Sequence, residues 1–138
     1  AMNAKAQELG LLDTFFVEPS GLNVNNRSTA YDLARLADYV FQRPILRQIM
    51  STQVVDIQSV DGVINHHLVN SNTLLGVLKG VLAGKTGYTE EAGESLILFV
   101  KKSKNIDDYL IYVILDSADR VKAARHLIDW VDRAYIWE

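Results

Sequence analysis

The sequence predicts a mixed α/β fold, in the α+β sense, with an antiparallel sheet packed against flanking helices. Three observations predict it: helical patterns dominate the first third, apolar strand-like runs fill the middle, and one amphipathic helix closes the chain. Separate runs of helices and strands are typical of antiparallel sheets covered by helices. With 138 residues and neither repeats nor a linker, residues 2–138 are expected to form a single domain.

The first segments of the chain predict a short helix and a loop. Residues 2–9 suit a short helix, and Gly10 can end it. Residues 15–26 carry a proline, a glycine and three asparagines, all of which suit turns. We therefore expect a surface loop at residues 15–26.

Two further helices are predicted after this loop. Thr29 can cap the first of them, and Asp32 stands three residues on, in the capping-box position. Apolar residues between 33 and 41 recur at helical spacing and predict one buried face. Pro44 ends that helix and begins the next, over residues 45–50.

Four strands follow, grouped in two hairpins. Residues 53–57 and 63–69 are predicted strands, with Asp61-Gly62 as the turn between them. Residues 95–100 and 109–115 are continuous apolar runs, which are typical of central strands covered on both faces. The polar stretch between these two runs favours an antiparallel hairpin.

The last predicted element is an amphipathic helix over residues 118–134. Its apolar residues recur at helical spacing and form one stripe. The stripe consists of Val121, Ala124, Leu127, Ile128, Val131 and Tyr135, and Trp130 and Trp137 add bulk.

Composition excludes several classes of function. The formal net charge is only −3 and no long charge run occurs, so nothing in the charge predicts binding to nucleic acid or to an anionic membrane. The chain has no cysteine, which excludes disulfides, cysteine nucleophiles and thiolate metal sites. No apolar run reaches the roughly 18–20 residues of a membrane span. His66 and His67 would point to opposite faces of a strand, so a metal shared by the two is not expected.

The most informative stretch is residues 84–89, whose sequence is Gly-Lys-Thr-Gly-Tyr-Thr. One interpretation is a phosphate-binding loop, which requires a glycine five residues before Gly84 and a helix after the lysine. Position 79 is a lysine, and Gly87 and Gly93 oppose a helix. The other interpretation is the Lys-Thr-Gly element of penicillin-recognising serine enzymes.

The surroundings favour the second interpretation. Six segments, spread over nearly the whole chain, match the sequence pattern of one enzyme family in the same order. They are Met2-Asn3-Ala4-Lys5-Ala6 with Leu9-Gly10, Glu18-Pro19-Ser20-Gly21-Leu22, Ser28-Thr29-Ala30-Tyr31-Asp32-Leu33-Ala34, Asn70-Ser71-Asn72-Thr73-Leu74-Leu75, Lys85-Thr86-Gly87-Tyr88-Thr89 with Ala92-Gly93, and Arg120 ten residues before Trp130. Together they resemble the low-molecular-mass D-Ala-D-Ala carboxypeptidases, penicillin-binding serine peptidases that trim peptidoglycan pentapeptides.

The resemblance implies a fold and a set of site residues, and it implies no metal or organic cofactor. The fold would be the C-terminal portion of a β-lactamase-like transpeptidase domain, and Ala1 before Met2 is interpreted as a cloning remnant. By position, Lys85, Thr86 and Gly87 would bind substrate, and Arg120 would grip the terminal carboxylate. The alternative for Arg120 is an exposed residue near a helix start.

The resemblance also implies a missing nucleophile. The family uses a serine in Ser-x-x-Lys, because a serine needs an adjacent base to attack a carbonyl. None of the eight serines here has a lysine three residues later. Ser103-Lys104-Asn105 fits the family's second motif, Ser-x-Asn, but it lies after Lys-Thr-Gly and is interpreted as a turn. No catalytic residue is therefore predicted in this chain.

Some residues depart from the family pattern or carry weaker signals. Glu18 replaces the usual asparagine, and a glycine directly precedes Lys85, where the family has a Val-Asp-Gly-Ile run. Asn72 is expected to position nearby loops or to cap a turn. The glutamates at positions 90, 91 and 94 are expected to form a solvated loop.

Two functions follow as expectations. The first is a fragment of a serine-type D-Ala-D-Ala carboxypeptidase outside the cytoplasmic membrane, which as a complete enzyme would bind peptidoglycan stem peptides and β-lactams. The second is a non-catalytic module that binds peptidoglycan or pairs with itself. Self-association is predicted because loss of an N-terminal half would expose apolar surface.

Overall fold

The computed structural model describes residues 1–103, 105 and 107–135. Lys104 and Trp137, both part of the sequence predictions, lie outside the described residues. The elements run in the order α1 (Met2–Glu8), α2 (Ala30–Phe41), α3 (Pro44–Ser51), β1 (Val54–Gln58), β2 (Asn65–Val69), β3 (Val81–Thr89), β4 (Gly93–Lys101), β5 (Tyr109–Ser117) and α4 (Arg120–Ala134). The predicted mixed fold with antiparallel strands and flanking helices is confirmed.

The strands form two separate antiparallel sheets. β1 and β2 pair through a hairpin in which Val54 lies opposite Val69. β3, β4 and β5 form the larger sheet in that order. Both predicted hairpins are therefore confirmed, and short connections explain them, because antiparallel strands can be joined by tight turns.

Apolar side chains cover both faces of the larger sheet. Leu96 and Leu98 on one face belong to a buried cluster that contains Ala124 and Ile128 of α4. Phe99 on the other face stacks on Phe41 of α2, with ring centroids 4.1 Å apart. Side chains alternate along a strand, so the continuous apolar run of β4 supplies both clusters.

The position of β5 differs from the prediction. β4 is central, as expected, but β5 lies at an edge of the sheet that the described residues form. α2 and α4 both contact β5, so its two faces are covered although no described strand pairs with its outer edge. A continuous apolar run indicates covered faces and carries no information about the edges of a sheet.

The loop before α2 is held by a buried carboxylate. Thr29 caps α2 as predicted, because its hydroxyl accepts the Asp32 N–H at 3.1 Å. Asp32 is only 3% exposed. It accepts the Asp13 N–H at 2.9 Å and the Thr14 hydroxyl at 2.7 Å, so it anchors the preceding loop, and the capping-box role predicted for it is wrong.

Candidate functional site

The Lys-Thr-Gly motif lies on β3, at an edge of the larger sheet. Lys85 is directly opposite Ile97, whose face packs against α2 and α3, and Thr86 is opposite Leu96, whose face packs against α4. Residues opposite one another in an antiparallel pair share a face. Lys85 and Thr86 therefore project to opposite faces, with the strand edge between them, and no described strand pairs with that outer edge.

Lys85 is exposed, and its ammonium group donates to the backbone carbonyl of Thr86. No carboxylate lies within ion-pair distance of Lys85 among the residues that the structure describes. An ammonium without a neighbouring carboxylate keeps its charge available to an anion that approaches the strand edge.

Thr86 is half-buried and shares a hydrogen bond with Ser71. The two hydroxyl oxygens are 2.6 Å apart. Ser71 is fifteen residues earlier in the chain and exposed. The pair places a second hydroxyl, that of Ser71, beside the motif. The sequence did not predict Ser71 as part of the site.

Two asparagines hold the turn that carries Ser71. Asn70 donates from its side chain to the Thr52 carbonyl at 2.9 Å and accepts the Asn72 N–H at 2.9 Å. Asn72 is 4% exposed, and its side-chain oxygen accepts the Leu74 N–H at 3.2 Å. Asn72 is thus the predicted turn cap, and its amide group is packed against β3.

Gly84 makes this close packing possible. A Cβ atom at Gly84 would stand 2.5 Å from the Asn72 side-chain nitrogen and 2.8 Å from the Ile97 carbonyl oxygen. The glycine next to the motif, which departs from the family pattern, is therefore the position where the Asn72 turn reaches β3.

Arg120 reaches the same strand from the first turn of α4. Its guanidinium donates to the Gly87 carbonyl at 3.1 Å and lies 3.8 Å from a Glu94 carboxylate oxygen. The other oxygen of Glu94 accepts the Arg120 backbone N–H at 3.0 Å. The Arg120 side chain is only 20% exposed, so the alternative of a plain exposed residue near a helix start is wrong.

The structure brings all four predicted site residues into one region. Lys85, Thr86 and Gly87 follow one another on β3, and Arg120 contacts Gly87 directly. Glu94 was expected in a solvated loop, but it lies on β4 and holds Arg120, so that prediction is wrong for Glu94. Because β3 continues as a strand to Thr89, the phosphate-binding loop is also wrong.

Outside this region, Glu18 organises the loop before α2. Its carboxylate accepts the Ser20 N–H at 2.5 Å, the Gly21 N–H at 3.0 Å, the Asn23 N–H at 3.0 Å and the Asn26 side-chain amide at 2.8 Å. Hydrogen bonds from Ser20 and then Asn23 lower the pKa of Glu18 to about 2. The glutamate therefore gives this loop a charged centre.

The histidine pair follows the expected geometry of a strand. His67 lies opposite Asp56 in the β1–β2 hairpin, with the ring nitrogen 2.6 Å from the carboxylate, and His66 lies opposite Ile57. The two rings therefore project to opposite faces.

The arrangement can bind an extended, carboxylate-bearing chain. An ammonium, a hydroxyl and a guanidinium surround one strand edge. Among the described residues other than its chain neighbours, a Cβ added at Gly87 would have only the Ser95 Cβ within 4 Å, at 3.8 Å. Exposed sheet edges accept extended peptides by backbone pairing, and cations beside them bind carboxylates.

The described part of the chain has no helix long and apolar enough to span a membrane.

Comparison with known proteins identifies the family of the chain. The family profile described as D-alanyl-D-alanine carboxypeptidase matches residues 1–119. Over 104 residues the chain is 38% identical to a D-alanyl-D-alanine endopeptidase from Pseudomonas aeruginosa, covering 71% of this chain and 32% of that protein.

Solved structures are similar over nearly the whole chain. A D-alanyl-D-alanine carboxypeptidase from Mycobacterium tuberculosis matches with a TM-score of 0.81 and 28% identity, over 98% of this chain and 52% of that one. Penicillin-binding protein D2 from Listeria monocytogenes, in its cefotaxime-bound form, matches with a TM-score of 0.77 and 30% identity, over 93% and 52% of the two chains. The chain thus spans about a third of that curated relative and about half of these solved structures.

Proposed function

Since the chain belongs to the D-alanyl-D-alanine carboxypeptidase family, we propose that it forms the Lys-Thr-Gly side of a site for peptides ending in D-Ala-D-Ala. The family comprises serine hydrolases that act on peptidoglycan. No serine of this chain has the lysine that the family's nucleophile requires three residues on. The proposed function is therefore substrate binding without acylation by this chain alone.

The observation that carries the proposal is the convergence of Arg120 and the motif at the edge of β3. The guanidinium donates to the carbonyl of Gly87 and lies beside Glu94, so it is held in place before any ligand arrives. A guanidinium has five N–H donors, and the two contacts leave donors for a substrate carboxylate. Lys85 adds a second positive charge on the face of β3 that is opposite to α4.

In the complete family reaction, a serine oxygen attacks the carbonyl between the two D-alanines and terminal D-Ala leaves. Water then hydrolyses the acyl-enzyme. In this proposal the described chain binds and orients the peptide, because Lys85 and Arg120 attract its carboxylate and Thr86 donates a hydrogen bond. The attacking oxygen and its base would have to come from outside this chain.

The first experiment incubates the purified chain with a fluorescent penicillin and measures the intact mass. We expect no covalent adduct. A stoichiometric adduct would mean that one of the eight serines is activated by neighbours other than Ser-x-x-Lys, and the proposal of a chain without a nucleophile would be wrong.

A second assay measures release of D-Ala from a pentapeptide. We expect none from this chain alone, and release above the no-enzyme rate would contradict the proposal. In parallel, NMR titration with an acetylated Lys-D-Ala-D-Ala peptide should shift the amide signals of Thr86 and Gly87. The same peptide with a C-terminal amide should bind more weakly, because it lacks the carboxylate.

A second candidate function is a non-catalytic, self-associating module. The groove between α3 and the β1–β2 hairpin is lined by apolar side chains that remain exposed, including Ile45, Ile49 and Val69. Apolar surface of this kind favours association. Light scattering at high micromolar concentration should then give a dimer or larger species, and a monomer would count against this function.

We also propose that the chain works outside the cytoplasmic membrane, because peptidoglycan lies there. Fractionation of cells that produce the native protein should place it in the envelope. Recovery in the cytosolic fraction alone would contradict this placement.

A further inference from the structure

The hydroxyl of Ser71 contacts the hydroxyl of Thr86, one of the proposed ligand-binding groups. It stands 2.6 Å from the Thr86 hydroxyl oxygen, well inside hydrogen-bond distance. Ser71 is exposed, so its hydroxyl can hydrogen-bond to water and does not need a partner within the protein. The contact therefore acts on Thr86 rather than satisfying a buried group.

We propose that Ser71 is a positioning residue that holds the Thr86 hydroxyl ready to donate to a ligand carboxylate. The inference rests on the proposed function. A carboxylate only accepts hydrogen bonds, so Thr86 must donate its single proton to the ligand. A partner that donates to the Thr86 oxygen leaves that proton free, and Ser71 is placed to be this donor.

The direction of the hydrogen bond explains why a hydroxyl stands at position 71. With Ser71 as donor, a chain runs from the Ser71 proton to the Thr86 oxygen and from the Thr86 proton to the carboxylate. Successive hydrogen bonds polarise one another in the same direction. Without Ser71, Thr86 is free to rotate to other staggered rotamers that point its hydroxyl away from the ligand.

The turn around Ser71 is built to keep it there. Asn70 binds the Thr52 carbonyl beyond the end of α3, and Asn72 is buried against Gly84 of β3. The residue between two anchored asparagines has little freedom to move along the strand. Ser71 is therefore fixed opposite Thr86 from both sides of the turn.

The test first measures the side-chain rotamer of Thr86 in the ligand-free chain, from the three-bond couplings of its methyl carbon. One rotamer is expected in the wild type and in Ser71→Thr, which keeps the hydroxyl. Rotamer-averaged couplings are expected in Ser71→Ala and in Ser71→Val, which fills similar space without a hydroxyl. Thr73→Ala removes an exposed hydroxyl two residues away and should leave the couplings unchanged.

The second measurement is the Kd of the acetylated Lys-D-Ala-D-Ala peptide by NMR titration. Ser71→Ala and Ser71→Val should weaken binding about three- to tenfold, the range for one neutral hydrogen bond, and Ser71→Thr should restore it. For the peptide amide, which lacks the carboxylate, the variants should differ less.

The outcomes separate this inference from the proposed function. Unchanged Thr86 couplings in Ser71→Ala would overturn the positioning role, even if the wild type binds the peptide. Averaged couplings with an unchanged Kd would overturn it as well, because positioning would then have no effect on the ligand. A wild type that does not bind the peptide would overturn the proposed function and the ligand role of Ser71, whereas the couplings would still report the hydroxyl pair.

Discussion

Replacing Gly84 with alanine should destabilise the fold at the point where the Asn72 turn meets β3. The added Cβ would stand 2.5 Å from the Asn72 nitrogen, 2.8 Å from the Ile97 carbonyl oxygen and 3.0 Å from a Leu98 methyl group. The Ile97 oxygen belongs to the backbone of the paired strand and cannot move without disturbing the sheet. We expect a loss of about 3 kcal/mol, at the upper end of the range for overpacked sites.

Urea unfolding and thermal unfolding, both followed by circular dichroism, measure this loss. A domain of this size loses about 3–4 °C of Tm per kcal/mol, so Tm should fall by roughly 10 °C. Gly87→Ala is the matched control, because its Cβ would make no closer contact with the described residues beyond its chain neighbours than 3.8 Å, to the Ser95 Cβ. That variant should unfold like the wild type and yet bind the peptide more weakly, since its methyl group would stand in the path proposed for the peptide.

A Gly84→Ala variant that unfolds within about 1 kcal/mol of the wild type, a loss typical of an average substitution, would contradict this prediction. Equal losses of stability in the two glycine variants would contradict it as well, because contact with Asn72 and Ile97 would then not be the cause.

Three further predictions concern charge and titration. Arg120→Lys keeps the positive charge but not the forked donors, so peptide affinity should fall about tenfold in NMR titration; unchanged affinity would exclude a two-pronged grip. The folded pKa of Glu18 is about 2 against an ordinary 4.5, so its stabilising effect should be present above pH 4.5 and lost as pH falls towards 2. In Glu18→Gln, the urea midpoint should vary less with pH across that window, and an unaltered pH profile would contradict this. Burial and then the hydrogen bond to Asp38 raise the pKa of Tyr109 to about 12 from 10.0, so its stabilising effect should be present below pH 10 and lost as pH rises towards 12. In Tyr109→Phe, the titration step at the highest pH should disappear from the absorbance at 295 nm, and loss of a step near pH 10 instead would refute the assignment.

Local signals predicted much of the fold. The Asp61-Gly62 turn, the Thr29 cap and the proline at the start of α3 each depend on a few neighbouring residues, and the structure has all three. The edge position of β5 could not be predicted in the same way, because hydrophobic runs report which faces are covered. Strand edges are closed by backbone groups, which are the same in every sequence.

The site was predicted only as far as the three motif residues and Arg120. Ser71 and Glu94 were missed because each acts through a partner distant in sequence, at separations of 15 and 26 residues. The three glutamates after the motif look alike as charges, and only the return of the chain through β5 into α4 distinguishes Glu94. The motif's residue types indicate chemistry, but which side chains orient them is decided by tertiary packing.

Lys85 and Thr86 are bonded neighbours on opposite faces of the larger sheet, the first on the face packed against α2 and α3 and the second on the face packed against α4. Their Cα atoms are about 3.8 Å apart, and the alternation of side chains along a strand keeps the two groups on opposite faces for as long as β3 is paired with β4. Fraying of β3 from β4 would remove this arrangement, so a ligand that needs both groups at once would bind only the form in which the strand is paired.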